Sequence, residues 1–327
     1  MNTKPSQTNT NPEHAQQSHK WIGYALGGLG AAFFATKGIV IKLALIENVD
    51  AVTALTWRML IAVPLFALIG WMGFRDRKRK NKNFAINPSA VIKAALVGMI
   101  GYYVASYLDF AGLELITAQF DRLILLTYPF FVVLFGAAFF GRRISWQMIL
   151  SLIVSYAGLA LIFAHDLTLD GPDVVVGALL VLGAAIAYAL YQLLAKPIID
   201  QIGARLFTSI AMTSAGLAVV VHFLFTHQIS DLIISTKAMW LMFALGTVST
   251  VLPAYLISAS IGRVGPEPTA IMGNVSPLVT IGLAVTVLGE AFSVWHALGA
   301  ALVLLGIFTF TRSQLHTGKA TRDLTQS

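Results

Sequence analysis

The chain contains ten apolar runs, each about 20 residues long, the length an α-helix needs to cross a hydrocarbon core of roughly 30 Å. Only helices and closed barrels satisfy their backbone groups in lipid, and these runs are continuously apolar rather than alternating, so they are predicted to be helices. The joints between them are short, which favours antiparallel neighbours. The runs cover residues 22–45, 51–72, 89–109, 115–140, 144–164, 174–196, 205–226, 238–260, 267–288 and 293–311.

The composition excludes most other classes of protein. Hydrophobic residues make up 57% of the 327 residues and charged residues only 11%, whereas soluble domains have roughly 45–50% and 25%. The chain has no cysteine, which excludes disulfides, thiol catalysis and cysteine-ligated metals. Because the HExxH, GxSxG and Walker signatures are also absent, we expect no catalytic residues, no metal site and no cofactor.

The distribution of Lys and Arg predicts the orientation of the helices. If the N-terminus is inside, 16 of these residues fall on inner segments and only Lys237 falls on an outer loop. Both termini are therefore expected in the cytoplasm of a multi-pass protein of the inner (plasma) membrane. The net charge of +7 then belongs to cytoplasmic loops, and no nucleic-acid partner is expected. Residues 1–20 lack a signal-peptide core and are predicted to be a disordered cytoplasmic tail, with a second tail at 313–327.

The two halves of the chain are related at an offset of 148 residues. Each half contributes five helices, an odd number, so the second half enters the membrane from the opposite side. The halves, residues 21–165 and 174–312, are therefore predicted to be inverted repeats, a construction typical of alternating-access transporters that bind substrate near the midplane. The matched residues include Gly98 and Gly246, Tyr107 and Tyr255, Pro129 and Pro277, Gly141 and Gly289, and Gly158 and Gly306.

Two corresponding segments carry a resemblance to a known family. They are PFFVVLFGAAFFGRRISWQMILSLIVSYAGLALIF at 129–163 and PLVTIGLAVTVLGEAFSVWHALGAALVLLGIFTF at 277–310. Each has a mid-helix proline, an apolar run, a tight glycine turn and a glycine-rich helix. This pattern resembles the EamA-type family of the drug/metabolite transporter superfamily over about residues 21–312, although Arg142 stands where the family usually has Glu. The resemblance implies a ten-helix inner-membrane carrier, often an exporter of amino acids or other metabolites.

Charged residues inside the membrane are costly and mark candidate functional sites. Lys37, Arg58 and Asp121 are each predicted seven or eight residues from an outer helix end, so they can form one layer about 10–12 Å deep. Together with Arg122, they suit a carboxylate or other anionic group; the alternative is a structural ion network in which Asp121 neutralises Arg58 or Lys37. Asp109 is placed at the border of an outer loop. Asp121 is then the only acid at this depth and the candidate proton site if transport is proton-coupled.

The second half lacks mid-helix charges but offers tyrosine and amide side chains that suit an amphipathic metabolite. Tyr188 is one candidate substrate contact, with simple packing as the alternative for any single tyrosine. Tyr107 and Tyr255 are repeat-mates expected to face each other, and His296 is expected at the interface rather than as a ligand. Pro129, Pro253 and Pro277 are candidate hinges. The residues expected to converge on one cavity are Lys37, Tyr107, Arg122, Gln192, Tyr255 and Asn274.

These features predict a secondary carrier that moves small polar or amphipathic metabolites, such as amino acids or related compounds, outward by alternating access through a central cavity. A channel-like facilitator is the alternative within transport, and an intramembrane enzyme or a lipid scramblase is the alternative from another class. The expected partners are a small-molecule substrate and the lipid bilayer. Helices 5 and 10 are expected at the periphery, with a homodimer contact through Gly158 and Gly306 as one arrangement.

Overall fold

A computed structural model describes residues 12–80, 87–141, 146–264, 272 and 275–326 of the chain. Within these ranges every regular element is a helix, so the predicted all-helical fold is confirmed for the described residues. We number ten helical segments in chain order. They are α1 (Pro12–Ile46), α2 (Ala51–Lys80), α3 (Pro88–Leu115), α4 (118–140), α5 (Trp146–Asp170), α6 (Asp173–Ile202), α7 (Ala204–Thr226), α8 (236–264), α9 (Ser276–Leu288) and α10 (Val294–Gln326).

The lengths of the helices and the exposure of their side chains fit a membrane protein. Segments α1 to α8 each contain a stretch long and apolar enough to cross a bilayer, and α9 and the apolar part of α10, Val294–Phe310, are shorter. Many large apolar side chains are exposed, as expected for surfaces that face lipid. Exposed tryptophans lie near the ends of the apolar stretches, where indole rings favour the membrane interface. They are Trp21, Trp71, Trp146, Trp240 and Trp295, which are 51–71% exposed.

Both terminal segments are more ordered than their polar composition suggests. Residues 12–20, predicted to be disordered, form the first turns of α1, and α10 continues through residues 312–326. The prediction failed at residues 12–20 because it used the lack of apolar residues as a sign of disorder. The segment has no glycine, its single proline stands at the first helical position, and Glu, Ala and Gln are good helix formers. Residues 1–11 lie outside the described part of the chain.

Helices α3 and α8 each contain one π-helical turn. The turns cover Met99–Val104 in α3 and Thr247–Val251 in α8, and they begin 148 residues apart, which is the offset that relates the two halves of the sequence. Glycines at the same offset also share a conformation: Gly141 ends α4 with φ 63° and Gly289 ends α9 with φ 68°. A left-handed glycine is a common way to end a helix. The two halves therefore share irregular backbone features as well as helices.

The candidate hinge prolines lie beside interruptions in the helices. Helix α4 divides after Leu125, and its second part begins at Tyr128, so Pro129 occupies the first turn rather than the middle of a helix. Pro277 likewise is the second residue of α9. In these positions proline removes no helical hydrogen bond, because the N–H groups of the first turn have no carbonyl acceptor within the helix. Pro253 is buried directly after the π turn of α8.

Helices from the two halves pack against each other in several pairs, among them α1 with α8, α2 with α7, α3 with α6, and α5 with α10. Shifting every helix number by five turns the pair α1–α8 into α6–α3 and leaves α2–α7 and α5–α10 unchanged. These four pairs therefore map onto each other. In the α5–α10 pair, Gly158 lies against Gly299 and Gly306 against Ser155, within the same chain. The predicted homodimer contact through Gly158 and Gly306 is therefore wrong, since both glycines are already used to bring α5 and α10 together.

The closeness of α5 and α10 yields a testable expectation for Gly158→Ala. The added Cβ would lie 2.5 Å from the carbonyl oxygen of Gly299, and a backbone atom cannot move aside easily. We expect the variant to lose about 1–3 kcal/mol of stability, measured as a lower melting temperature of the detergent-purified protein. Gly28→Ala is the matched control, because a Cβ there meets nothing within 4 Å. Equal melting temperatures for the two variants would contradict this account of the pair.

Candidate functional site

A buried ion pair joins α1 to α3. The Nζ of Lys37 lies 2.6 Å from Oδ2 of Asp109, and the two residues are only 7% and 2% exposed. The rings of Phe34 and Phe110 lie 5.5 and 5.9 Å from the ammonium nitrogen and shield it further. Burying two charges is costly, and this pair offsets the cost by direct contact.

Asp109 was not predicted as a site residue. In the sequence, the third apolar run ends at residue 109, which predicts that this acid lies at the border of a loop. In the structure α3 continues to Leu115, so Asp109 lies six residues, or about 9 Å, inside the end of the helix. The interpretation of Asp121 as the only acid at this depth is therefore wrong.

Arg58 of α2 connects the two halves of the chain through hydroxyl groups. Its Nε donates to Oγ1 of Thr250 at 3.1 Å, and its Nη1 donates to Oγ of Ser106 at 3.1 Å. The guanidinium also lies 5.6 Å from the ring centre of Phe110. Arg58 is 5% exposed. Thr250 lies in the π turn of α8, and Ser106 is the second residue after the π turn of α3, so the Arg58 side chain connects the regions of both irregular turns.

Asp121 and Arg122 lie in the first turn of α4 and have different neighbours. Asp121 is 4% exposed and lies within hydrogen-bond reach of Asp109. The Oδ1 atoms of both carboxyl groups are buried, and neither has a hydrogen-bond partner among the described residues. Arg122 instead donates to the hydroxyl of Ser276, the first residue of α9, and its guanidinium lies 5.1 Å from the ring centre of Phe34.

The five charged residues form one cluster, which we call the charge cluster: Lys37, Arg58, Asp109, Asp121 and Arg122. It contains three basic and two acidic side chains, so it carries a formal charge of +1 when all are ionised. Two carboxylates in contact repel each other, whereas a single proton between them makes a hydrogen bond. The cluster can therefore change its charge by one proton without moving a helix, and its basic members can bind an anion.

Tyrosine side chains from α3, α4 and α6 form an aromatic group beside the charge cluster. The hydroxyls of Tyr102 and Tyr191 lie 2.9 Å apart, and Tyr188 packs edge-on against Tyr128 with ring centres 5.0 Å apart. Gln192 lies one turn from Tyr188 on α6. The charge of Arg122 acts on both Tyr128 and Tyr188, which places the two groups next to each other. Rings with polar tips beside cations suit a ligand that has an apolar body and an anionic group.

The structure does not bring all six residues of the predicted cavity together. Tyr107 packs on His222, near the end of α7, with ring centres 4.9 Å apart. Tyr255 stacks on Phe66, and the charge of Arg205 at the opposite end of α7 acts on it. Tyr107 and Tyr255 therefore do not face each other; they lie near opposite ends of α7, as repeat-mates do when one half is inverted. Asn274 lies outside the described residues.

Two glutamates accept hydrogen bonds from the N-terminal ends of helices near the charge cluster. Backbone N–H groups of Ala118 and Gln119, at the start of α4, donate to the carboxylate of Glu290 at 2.7 and 3.3 Å. Ala51, at the start of α2, donates to Glu114 at 2.7 Å. Carboxylates stabilise the positive N-terminal ends of helices. Glu290 thus connects the loop between α9 and α10 to the helix that carries Asp121.

Comparison with known proteins identifies the family. The sequence matches the profile of the EamA-like transporter family over residues 21–164 and 175–312. The chain belongs to the EamA-like transporter family. The resemblance carried by residues 129–163 and 277–310 is thereby confirmed. As an EamA-like protein with multiple apolar helices, it is a multi-pass membrane protein and a transporter.

Curated relatives of this EamA-like chain carry transporter names. It is 30% identical over 308 residues to the uncharacterized transporter YcbK of Bacillus subtilis (strain 168), covering 89% of this chain and 93% of that protein. The uncharacterized transporter YetK of the same organism is 23% identical over 88% of this chain and 87% of that protein. One solved crystal structure superposes with a TM-score of 0.57 at 16% identity, covering 90% of this chain and 98% of the other, and shows similarity of fold.

Proposed function

We propose that this EamA-like protein is a secondary carrier of small metabolites with an anionic group, such as amino acids or related amphipathic compounds, and that it exports them across the inner membrane. Ten spans form two inverted repeats with both termini in the cytoplasm. The helix pairs that map onto each other, the π turns 148 residues apart and the two left-handed glycines support this arrangement.

The observation that carries the proposal is the charge cluster. Its members come from the first four helices, and two of them reach hydroxyl groups on α8 and α9 of the other half. Unsatisfied polar groups cost several kcal/mol in an apolar environment. This cluster has an excess cation and two carboxylate oxygens without a hydrogen-bond partner among the described residues, which favours a role in binding a ligand or a proton. Substrate sites of inverted-repeat carriers lie at this kind of interface between the halves.

Proton coupling follows from competition within the cluster. An amino acid that binds Arg58 or Arg122 through its carboxylate would bring its ammonium group close to Asp109 and Asp121. The two carboxyl groups would then hold either that ammonium group or a proton, so substrate binding releases a proton and exchange of the two drives export. Substrate on Arg58 would also replace its hydrogen bonds to Ser106 and Thr250, which belong to opposite halves of the chain, so binding would change the contacts between the halves.

The other classes considered from the sequence fit these features less well. A lipid scramblase needs polar residues along a stripe that faces lipid. In the charge cluster, by contrast, Arg122 is half-buried and the other four side chains are buried. A channel-like facilitator needs no exchangeable proton and would not concentrate substrate against a gradient. The family and the names of its relatives indicate a transporter rather than an enzyme.

A screen of cells with and without the gene tests the function. Cells that express the carrier should tolerate higher external concentrations of one class of amino acid or related metabolite, and inverted vesicles should accumulate that compound. Accumulation should require a proton gradient and should be abolished by an uncoupler. Equal tolerance across a broad panel of such metabolites, together with no accumulation in vesicles, would refute export of this class of compound.

The proposed orientation makes a separate prediction. Reporter fusions after residue 80 and after residue 320 should report a cytoplasmic location, because inner segments carry 16 Lys and Arg residues against one outside. A fusion near Asp170, between α5 and α6, should report an external location. A cytoplasmic signal near Asp170 would contradict the division into five and five helices, and with it the inverted repeat.

A further inference from the structure

A second cluster of titratable side chains lies away from the charge cluster, where α5 ends and α10 begins. His165 and Asp166 are consecutive residues near the end of α5, and His296 is the third residue of α10. Their potential ligand atoms all lie within 4.8 Å of one another. His296 lies near a helix end, as expected, but it is only 4% exposed because the packing of α10 against α5 encloses it.

Asp166 stands between the two imidazoles. Its Oδ1 lies 3.2 Å from Nδ1 of His165 and 3.0 Å from Nε2 of His296. The first contact is a hydrogen bond, but the second is not aligned as one, and Nε2 of His296 has no hydrogen-bond partner among the described residues. A buried ring nitrogen that points at a carboxylate without bonding to it is unusual, because buried polar atoms are nearly always satisfied.

The opposite side of the His296 ring is held by Ser293. The Oγ of Ser293 lies 2.8 Å from Nδ1 of His296. The backbone N–H of Ser293 also donates to Nδ1, at 3.4 Å, in the tautomer that carries its proton on Nε2. In the other tautomer, Nδ1–H donates to the Ser293 hydroxyl, and the lone pair of Nε2 faces the Asp166 carboxylate. Histidine ligands of metals are typically oriented in this way, by a hydrogen bond from the ring nitrogen that does not bind the metal. A cation between Nε2 and Oδ1 would replace the repulsion of two lone pairs by two bonds.

We propose that His165, Asp166 and His296 bind one zinc ion. Two imidazole nitrogens and one carboxylate oxygen are typical zinc ligands, whereas magnesium and calcium prefer oxygen ligands alone. Zinc bonds of about 2.0–2.2 Å place tetrahedral ligands about 3.3 Å apart. The two distances from Asp166, 3.0 and 3.2 Å, are close to this value, and the two histidine nitrogens lie within 4.8 Å of each other. Side-chain rotations that bring the two imidazoles closer together would complete the site. The fourth position stays open to water or an anion.

The proposed zinc ion would tie the two halves of the chain together. Along the rest of the α5–α10 pair, the polar contacts are hydrogen bonds of neutral hydroxyl groups. Ser155 donates to the carbonyl of Val303 at 3.2 Å, and the hydroxyls of Ser151 and Thr309 lie 2.9 Å apart. A metal at the end of the pair would add a strong bond between helices that belong to different repeats. Zinc should therefore stabilise the protein whether or not it transports substrate.

The test uses the full chain, purified in detergent through a tag without histidines and freed of metal with a chelator. We expect the wild type to bind one zinc ion per chain, counted by elemental analysis, and to melt at a higher temperature with zinc than without it. Cobalt as a probe should give the visible absorption of a four- or five-coordinate site. His296→Gln and Asp166→Asn should each weaken zinc binding at least tenfold.

His227→Gln is the matched control, because His227 also lies 3.3 Å from a carboxylate, that of Asp50, but without a second histidine. It should bind zinc like the wild type. His296→Cys should restore binding lost in His296→Gln, which separates loss of a ligand from loss of folding. The proposal is overturned if the wild type binds no zinc, or if His296→Gln binds it as tightly as the wild type. Neither result bears on the carrier function.

Discussion

Replacing Lys37 with Met is expected to lower the free energy of unfolding by about 3–5 kcal/mol, because it leaves Asp109 buried without its cation. The loss should be larger than for an ordinary apolar substitution, since Asp121 lies next to the orphaned carboxylate. The double variant Lys37→Met, Asp109→Leu should recover most of the stability, because replacing both members of a buried ion pair by apolar residues is often neutral. It should not recover transport. Unfolding of the purified protein and uptake into vesicles measure the two effects.

Lys237 and Glu47 provide the matched control. Their Nζ–Oε1 distance is also 2.6 Å, but the lysine side chain is 70% exposed. The hydrogen bond from Lys237 lowers the pKa of Glu47, which favours the ionised carboxylate. Lys237→Met should nevertheless leave stability almost unchanged, because water solvates both groups after the pair is broken. If Lys37→Met and Lys237→Met destabilise the protein equally, burial is not what makes the Lys37 pair important.

Asp121→Asn is expected to uncouple transport from protons while leaving the fold intact. Asparagine has nearly the same shape, and its amide can donate to the carboxylate of Asp109, as a protonated Asp121 would. The variant should therefore no longer exchange a proton at this position, so it should lose accumulation against a gradient and lose its pH dependence. Downhill exchange of substrate in vesicles should persist. Measurement of both fluxes between pH 5 and pH 8 distinguishes uncoupling from simple inactivity.

Asp173→Asn serves as the control, because Asp173 is an exposed acid at the start of α6. It should transport like the wild type at every pH. Unchanged pH dependence in Asp121→Asn would show that the proton site lies elsewhere. If Asp121→Asn does not fold, but folds once Arg58 or Lys37 is also neutralised, Asp121 serves as a structural counter-ion, which is the alternative raised by the sequence.

The sequence predicted the membrane helices and part of the charge cluster because these depend on local features. Lys37 and Arg58 are conspicuous as single charges within long apolar runs. Asp109 was missed because Asp and Glu near the end of a run look like the beginning of a loop. Only packing shows that α3 continues past Asp109 and that Lys37, from another helix, neutralises it.

Contacts between distant segments could not be predicted from either segment alone. His165 and His296 are 131 positions apart, and nothing near either one indicates that α5 and α10 meet. The hydroxyl partners of the two arginines, Thr250 and Ser276, are likewise ordinary residues of apolar helices. Serine and threonine are common in such helices, so their type alone gives no reason to choose them.

The matched π turns also bear on the origin of the chain. A π turn accommodates one more residue than the α-helical turn it replaces, and such turns are rare and often found at functional sites. The turns at Met99–Val104 and Thr247–Val251 begin at equivalent positions of the two proposed repeats. A single insertion in a half-length ancestor, followed by gene duplication, accounts for both, whereas later insertions would have had to occur twice at one place. The π turn is then older than the duplication, and the half-length ancestor already had it.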